Sequence, residues 1–315
     1  MGDVRFWVIK PQTLPTAMRC HSVVIATLLA LSCLAAPSRA ENPTHLRQLR
    51  ETGECSQCDL RGANLRGLRF SFTHANLRGA DLRGADLSQA DLNNANLEGA
   101  DLRGADLIGA SFNNAQLKNT NFSSSNLNSA EFKNANLSAA NFGYANILQA
   151  NFQNANLEKA NLRSTNLINV YLEKADLNGA DLTGANLSMS YLVGSDLTNA
   201  DLHGASLNSA NLRDVNFRGA NLNGANLRRA SLKNSNFRSA SLRGTDLQQT
   251  YMENADFSEA DLSGVNFKLA DLTNANLTKT NLKGANLENT ILTGATFCDA
   301  IAPDGKKYGC ERPFP

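Results

Sequence analysis

A large apolar residue occupies every fifth position from Phe72 to Phe297, in all 46 positions of that series. Thirty-three of these positions hold Leu and eleven hold Phe, while Ile147 and Met252 fill the other two. A period of five matches neither the helical period of 3.6 nor the strand period of 2. The chain must therefore turn once in each five-residue unit, so that the same positions always point inward.

The other positions of the unit indicate how the chain turns. The position two residues before the large apolar one holds Ala in 32 of 46 units, and the position directly before it holds Asn in 21 and Asp in 13. The position two residues after it holds Gly in 15 units and Asn in 11. Gly and Asn tolerate positive φ, and Asx side chains bond nearby backbone at a bend. The pattern predicts a solenoid whose short strands stack about 4.8 Å apart.

These units, as in Ala80-Asp81-Leu82-Arg83-Gly84, resemble those of the pentapeptide-repeat family from residue 59 to residue 299. The resemblance implies an all-β fold, a right-handed and roughly square β-helix with four units per coil, and hence a rod of about 55 Å. Such a coil stacks residues that are 20 positions apart. Twelve units lack Asx before the large apolar residue, and eight of the twelve fall in one such column: Ser71, Ser111, Glu131, Tyr171, Tyr191, Ser231, Tyr251 and Ile291.

The lattice has one irregularity and two expected caps. Phe72 follows Leu65 by seven residues, so the segment 68–72 carries two extra residues and predicts a bulge in the first coil. Residues 41–58 predict a cap helix that begins after Asn42 and ends at Gly53. Residues 300–315 predict a C-terminal cap. Caps are needed because an open solenoid end exposes apolar side chains and an unpaired strand edge.

Residues 1–40 have the features of a secretory signal peptide. An apolar run at Val23–Ala36 follows Arg19, and Ser38-Arg39-Ala40 is a small-x-small cleavage site. Cleavage is expected after Ala40. Retention of this segment as an uncleaved anchor stays open, although a run of about fourteen residues is short for a bilayer span.

Four cysteines remain after cleavage: Cys55, Cys58, Cys298 and Cys310. On a rod of about 55 Å the two pairs lie at opposite ends, and a disulfide requires Cα atoms within about 7 Å. We therefore expect Cys55–Cys58 and Cys298–Cys310 disulfides, with free thiols or a redox-active CxxC as alternatives. The sequences around both pairs resemble the terminal segments of exported cyanobacterial pentapeptide-repeat proteins. That resemblance implies the periplasm or the thylakoid lumen.

Nothing in the repeats indicates catalysis. His45, His74 and His203 are far apart in the sequence, the many Asp residues follow the turn pattern, and there is no phosphate-loop or dinucleotide motif. The prediction is a non-enzymatic structural or protein-interaction scaffold with no cofactor and no metal. Its partner is an unknown protein or a second copy, with no nucleic acid and no stable membrane span. The alternative is a DNA-mimic, topoisomerase-interacting member of the family, which the net charge of +1 and the export signal do not favour.

Two groups of outward residues form the candidate interaction surface. The first group lies in the column where eight units lack Asx, which we call the Asx-poor column. It consists of Tyr171, Tyr191 and Tyr251, and tyrosine is enriched at protein interfaces. The second is a band of cations within 31 residues, which contains Arg213, Arg218, Arg228, Arg229, Lys233, Arg238 and Arg243. For both groups a solvated surface is the alternative.

Overall fold

The structure is a computed structural model that describes residues 42–67 and 72–310. One helix, α1 (Pro43–Thr52), precedes a series of single-residue parallel β-bridges that runs from Glu54 to Ile301. From Asn76 onward the bridged residues are 20 positions apart, so four five-residue units complete one coil. Residues 20 apart share a face, and the four faces are identified by these members: face 1 by Asn96, face 2 by Asp101, face 3 by Asp106 and face 4 by Ser111.

The core contains the two inward positions of every unit. The Leu or Phe side chain is fully buried throughout the middle of the rod, and the Ala two positions earlier is buried beside it. Phenylalanines 20 residues apart stack on one face, as Phe112 does on Phe132 at 4.9 Å. Phenylalanines 10 residues apart lie on opposite faces and meet edge to face across the core, as Phe112 does with Phe122 at 6.0 Å. The coil geometry thus explains both Phe spacings in the sequence.

The turn position confirms the role expected for Gly and Asn. Its φ is positive in almost every unit, including units where it holds Lys159, Met189, Arg229 or Leu269. None of the 46 units places Val, Ile or Thr there, because β-branched residues are strongly disfavoured at positive φ. The Asx side chain before the large apolar residue accepts the backbone N–H two residues later. We call this contact the Asx cap.

Helix α1 covers the N-terminal end of the solenoid as predicted. The Asn42 side chain accepts the Thr44 N–H at 3.0 Å, and Gly53 ends the helix with φ of 70°. Leu49 is fully buried against the first coil. The Nδ1 atom of His45 accepts the Asp59 N–H at 2.9 Å, so this histidine satisfies a backbone group at the open edge of the solenoid.

The bridge register shows the two extra residues of the first coil. Across the irregular segment the bridged residues are 22 apart, as in Asp59 with Asp81, and later they are 20 apart. Residues 68–71 themselves lie outside the described residues, as do 1–41 with the predicted signal peptide and 311–315. In the part of the chain that the structure describes, no helix has the length and apolarity to cross a membrane.

The regular coil extends one unit beyond each end of the 59–299 segment. At the start, Cys55 occupies a large apolar position and Cys58 an Ala position, and both are buried. At the end, Ile301 forms an antiparallel bridge with Lys307, and the Tyr308 N–H donates to the Ala300 carbonyl at 2.8 Å. This hairpin closes part of the last coil.

Candidate interaction surface

From Ser111 to Ile291 the Asx-poor column forms one line of bridged residues on face 4. Tyr171 and Tyr191 lie on successive coils, and their rings stack with centroids 5.2 Å apart. Tyr251 is three coils further along the same line. The three tyrosines therefore share one side of the rod, but only the first two contact each other.

A second column of exposed apolar residues runs beside the first. It is the turn position between faces 3 and 4, and it holds Met189 and Leu269. Nine large apolar side chains are exposed among the described residues, and six of them lie in these two columns, with exposures of 39% to 58%: Tyr171, Met189, Tyr191, Tyr251, Leu269 and Ile291. Each coil has twelve outward positions, which form twelve columns along the rod. Two of these columns hold two thirds of the exposed large apolar side chains. We call these two columns the apolar edge.

The sequence interpretation missed Met189, Leu269 and Ile291 as surface candidates. Each has a signal in the sequence, because each is a large apolar residue at a position that in most units holds Gly or a polar residue. Tyr251, Leu269 and Ile291 line a shallow depression of about 540 Å³. A second depression, of about 300 Å³, lies beside it and is lined by Asn208, Ser209, Asn226, Arg228 and Arg229. Arg229 contributes to both depressions.

The seven predicted cations surround the rod, as their spacing implied, and differ in their partners. Arg228, Arg238 and Arg243 lie within 4 Å of carboxylates. The others have no carboxylate partner among the described residues; they are Arg213, Arg218, Arg229 and Lys233. Arg229 lies in the turn column of the apolar edge between Tyr191 and Tyr251. Arg213, Arg228 and Lys233 flank that stretch, whereas Arg218 lies on face 1.

The Asx cap is missing from five successive coils of face 4. In the coils before and after this run, Asn151 caps the Gln153 N–H and Asp271 caps the Thr273 N–H. Between them, no protein acceptor in the described chain bonds the equivalent N–H groups of Glu173, Val193, Arg213, Lys233 and Glu253. Tyr171, Tyr191, Ser231 and Tyr251 lack the Asx acceptor, and the Asn211 Oδ1 accepts no hydrogen bond.

The Asx-poor coils near the start of face 4 are capped differently. There the Asn93 side chain accepts the Asn113 N–H of the next coil, and Asn113 in turn accepts the Lys133 N–H, both at 2.8 Å. Lack of Asx therefore does not by itself leave the N–H unpaired. The uncapped run, Glu173 to Glu253, is a distinct feature of the apolar edge.

The first coils of face 2 differ from the cationic stretch of the apolar edge, because their charged side chains neutralise one another. Arg61 pairs with Asp59 at 2.5 Å and also lies 3.4 Å from Asp81 of the next coil. Arg83 repeats this arrangement with Asp81 and with Asp101 of the next coil, and Arg103 pairs with Asp101 alone. The hydrogen bond from Arg61 lowers the pKa of Asp59 from 3.8 to about 2. These charges stabilise the first coils and leave little net potential for a partner.

The candidate chemical groups do not assemble into a reactive site. His45 is in the N-terminal cap, His74 is in the first full coil and His203 is exposed in the middle of the rod. Cys55 is bonded to Cys58, and Cys298 to Cys310. The single cluster of possible metal ligands within 42–67 and 72–310 is Cys298, Asp299 and Cys310. Because both thiols are in the disulfide, that cluster offers one carboxylate.

Comparison with known families covers nearly the whole solenoid. The family described as Pentapeptide repeats (8 copies) matches residues 54–89, 71–107, 105–143, 195–234, 210–249, 235–274 and 270–301. The related Pentapeptide repeat region matches residues 125–202. Proteins of this type fold as right-handed β-helices. Among proteins with curated descriptions, none matches the chain.

Several solved structures are similar to this chain. HetL, a pentapeptide repeat protein involved in heterocyst differentiation regulation in the cyanobacterium Nostoc sp. strain PCC 7120, is 31% identical over 76% of this chain and 94% of its own, with a TM-score of 0.27. A pentapeptide repeat protein of the Arabidopsis thaliana thylakoid lumen is 34% identical over 29% and 63%, with a TM-score of 0.24. QnrB1, a plasmid-mediated fluoroquinolone resistance protein, is 17% identical over 62% and 88%, with a TM-score of 0.21.

Proposed function

The chain belongs to the pentapeptide-repeat family, and on that premise we propose that it is a non-enzymatic scaffold rod that binds a protein partner through the apolar edge. The observation that carries the proposal is the concentration of six exposed large apolar side chains in two adjacent columns. Clustered exposed apolar surface is typical of protein interaction sites, whereas singly scattered residues are normal on any surface.

The column tyrosines lack a side-chain acceptor that would stabilise the rod, and this supports the same proposal. Tyr171, Tyr191 and Tyr251 occupy a position where Asn151 and Asp271 accept a backbone N–H, although Asn211 does not. A hydrogen bond of this kind contributes about 1 kcal/mol. The tyrosines therefore replace a stabilising contact with an exposed ring, which favours a role outside the fold.

We place the rod in an exported compartment, the periplasm or the thylakoid lumen. The support is the apolar run Val23–Ala36 with its cleavage site, together with the two disulfides at the ends of the rod. Disulfides persist in oxidising compartments. N-terminal sequencing of the native protein is expected to begin at Glu41, and a cytoplasmic form that retains Trp7 would refute export.

Site-specific photo-crosslinking in cells tests the interaction role. A photoreactive phenylalanine analogue replaces Tyr251 on the apolar edge or, as the matched control, Tyr144, which is 76% exposed at the turn after face 2. A discrete adduct from position 251 and none from position 144 is expected. Equal adducts from both positions, or none from position 251, would refute binding through this edge.

A further inference from the structure

Building on the interaction rod proposed above, we infer that the stretch of the apolar edge between Tyr191 and Tyr251 binds a carboxylate-rich segment of another protein. That segment carries large apolar side chains on both sides of its acids. The inference combines three independent features of the same stretch: uncapped backbone donors, cations without carboxylate partners, and apolar clusters at both ends.

The uncapped N–H groups form a ladder of donors. Glu173, Val193, Arg213, Lys233 and Glu253 each present one backbone N–H on successive coils, so the ladder spans about 19 Å. In capped units a carboxylate or amide oxygen accepts this N–H from the outer surface, as Asp271 does for Thr273 at 2.9 Å. In the proposed complex, a carboxylate oxygen of the partner takes the place that the Asx oxygen has in the capped units. Such charge-assisted hydrogen bonds are stronger than neutral ones.

The cations select where along the ladder the acids bind. Arg213 and Lys233 follow the Asx-poor column in its two central coils, and Arg229 lies beside them across the turn, whereas Arg228 is 3.8 Å from Asp246. Arg229 donates to the amide oxygen of Gln249 at 2.9 Å and has no carboxylate of its own. Glu173 and Glu253 mark the two ends of the ladder. The centre therefore attracts carboxylates, and the ends repel them.

The apolar clusters favour a protein over an anionic polysaccharide. Met189 and Tyr191 lie before the cationic centre, and Tyr251 and Leu269 lie after it, with exposures of 41% to 58%. A sugar polymer binds aromatic residues through ring faces. The stacked rings of Tyr171 and Tyr191 turn their faces toward each other and their edges outward. Apolar side chains of a protein segment fit such a surface.

A second copy of the chain fits less well than an acidic partner. A two-fold dimer that matched the first apolar cluster with the second would have its axis halfway between them, at the coil of Arg228 and Arg229. Arg229, which has no carboxylate partner, would then face the Arg229 of the other copy. Like charges brought together in this way oppose association.

The distance between the two apolar clusters sets the length of a probe peptide. The coils of Tyr191 and Tyr251 are three steps, or about 14 Å, apart. An extended segment covers this distance with about four residues, and alternate side chains share a side. The probe is therefore a labelled nonapeptide, Ser-Gly-Phe-Glu-Glu-Glu-Phe-Gly-Ser. Two control peptides replace all three Glu with Lys or both Phe with Ala.

Fluorescence anisotropy with the purified mature chain tests the inference. Saturable binding of the Glu peptide is expected, with binding of either control peptide weaker by about tenfold or more. Arg229→Ser is expected to weaken it several-fold, while Arg218→Ser, which removes another cation without a carboxylate partner from face 1, leaves it unchanged. Failure of the Glu peptide to bind, or equal losses in both variants, would overturn the inference.

The donor ladder has its own test, which removes no charge and no aromatic ring. Ser231→Asn introduces an Asx side chain, and if it caps the Lys233 N–H as Asn151 caps that of Gln153, rather than leaving it open as Asn211 does, it is expected to weaken peptide binding several-fold with no loss of thermal stability. The control is Ser241→Asn on face 2, where Asn223 already accepts the Arg243 N–H at 2.8 Å. Equal affinity of the Ser231→Asn variant and the native chain would contradict a role for the ladder.

Two further outcomes would overturn the carboxylate-peptide inference while leaving the scaffold role standing. Tighter binding of dextran sulfate than of the Glu peptide would indicate an anionic polysaccharide instead. Self-association of the mature chain that Tyr251→Asn abolishes would indicate a second copy. The scaffold role itself is tested separately: the absence of a photo-crosslinked adduct from position 251 in cells would refute it.

Discussion

The rings of Tyr171 and Tyr191 stack on successive coils, with their planes inclined by only 9°. Their register follows directly from the bridge between the two residues. The stack presents ring edges and hydroxyl groups to solvent at the start of the apolar edge. The five-residue period of the sequence therefore places both tyrosines on the surface on which the proposed function depends.

The separation of inward and outward positions predicts very different effects from neighbouring substitutions. Leu202 is fully buried and His203, the next residue, is exposed. Leu202→Asn buries an amide without partners and leaves a cavity, so the free energy of unfolding is expected to fall by several kcal/mol. His203→Asn is expected to change it by no more than about 0.5 kcal/mol. Urea denaturation of both variants measures this, and similar losses would disprove the assigned register.

The two disulfides are expected to differ in their accessibility to reductant. Cys55 and Cys58 are buried within the coil, whereas Cys310 is exposed on the C-terminal hairpin. Mild reduction should therefore open Cys298–Cys310 first, as followed by mass spectrometry of alkylated digests. The hairpin around Lys307 should then exchange amide hydrogens faster while the middle of the rod is unaffected. Reduction of Cys55–Cys58 first, or a link between the two pairs, would contradict this arrangement.

The ion pair of the first coil predicts a pH dependence. The Arg61 hydrogen bond lowers the pKa of Asp59 to about 2 in the folded chain, below its ordinary 3.8. A depressed carboxyl pKa stabilises the fold above the unfolded value, and this stabilisation is lost as the pH falls from about 4 to about 2. Because the pair is partly exposed, the effect should not exceed about 1 kcal/mol.

Asp59→Asn provides the comparison for that pH dependence. The difference in unfolding free energy between the native chain and the variant is expected to shrink between pH 4 and pH 2. A difference that stays constant over this range would show that the ion pair does not contribute. High salt should reduce the difference at pH 7, because partly exposed charges are screened.

The five-residue period predicted most of the fold because it specifies which side chains are buried. Helix α1 was predicted as well, since Asn42 and Gly53 are strong boundary signals. The contacts between coils were harder to predict. Nothing local in the sequence shows that Asn93 caps Asn113, or that Asn211 leaves Arg213 uncapped. Those contacts depend on side-chain orientation between residues 20 positions apart.

The surface was only partly predictable for the same reason. Tyr171, Tyr191 and Tyr251 were recognised because they interrupt the Asx pattern in a single column. Met189 and Leu269 belong to a different position of the unit, and only the square coil places that column beside the tyrosines. The sequence also gave no means of separating Arg229, which lacks a carboxylate partner, from Arg238, which pairs with Glu259 at 3.0 Å.

Replacement of all three column tyrosines by Asn tests the interaction edge most directly. Asn is the commonest residue at this position of the unit, and Asn151 on the same face caps the Gln153 N–H. The variant should therefore keep its circular dichroism spectrum and melt at an equal or higher temperature. Tyr144→Asn, which removes an exposed tyrosine outside the edge, is the control.

The decisive measurement is the amount of partner that the tagged mature chain retains from an extract of its own compartment. The triple variant of Tyr171, Tyr191 and Tyr251 is expected to retain several-fold less than the native chain, while Tyr144→Asn retains the same amount. Full retention by a correctly folded triple variant would contradict the account and would leave the tyrosine column as a solvated surface.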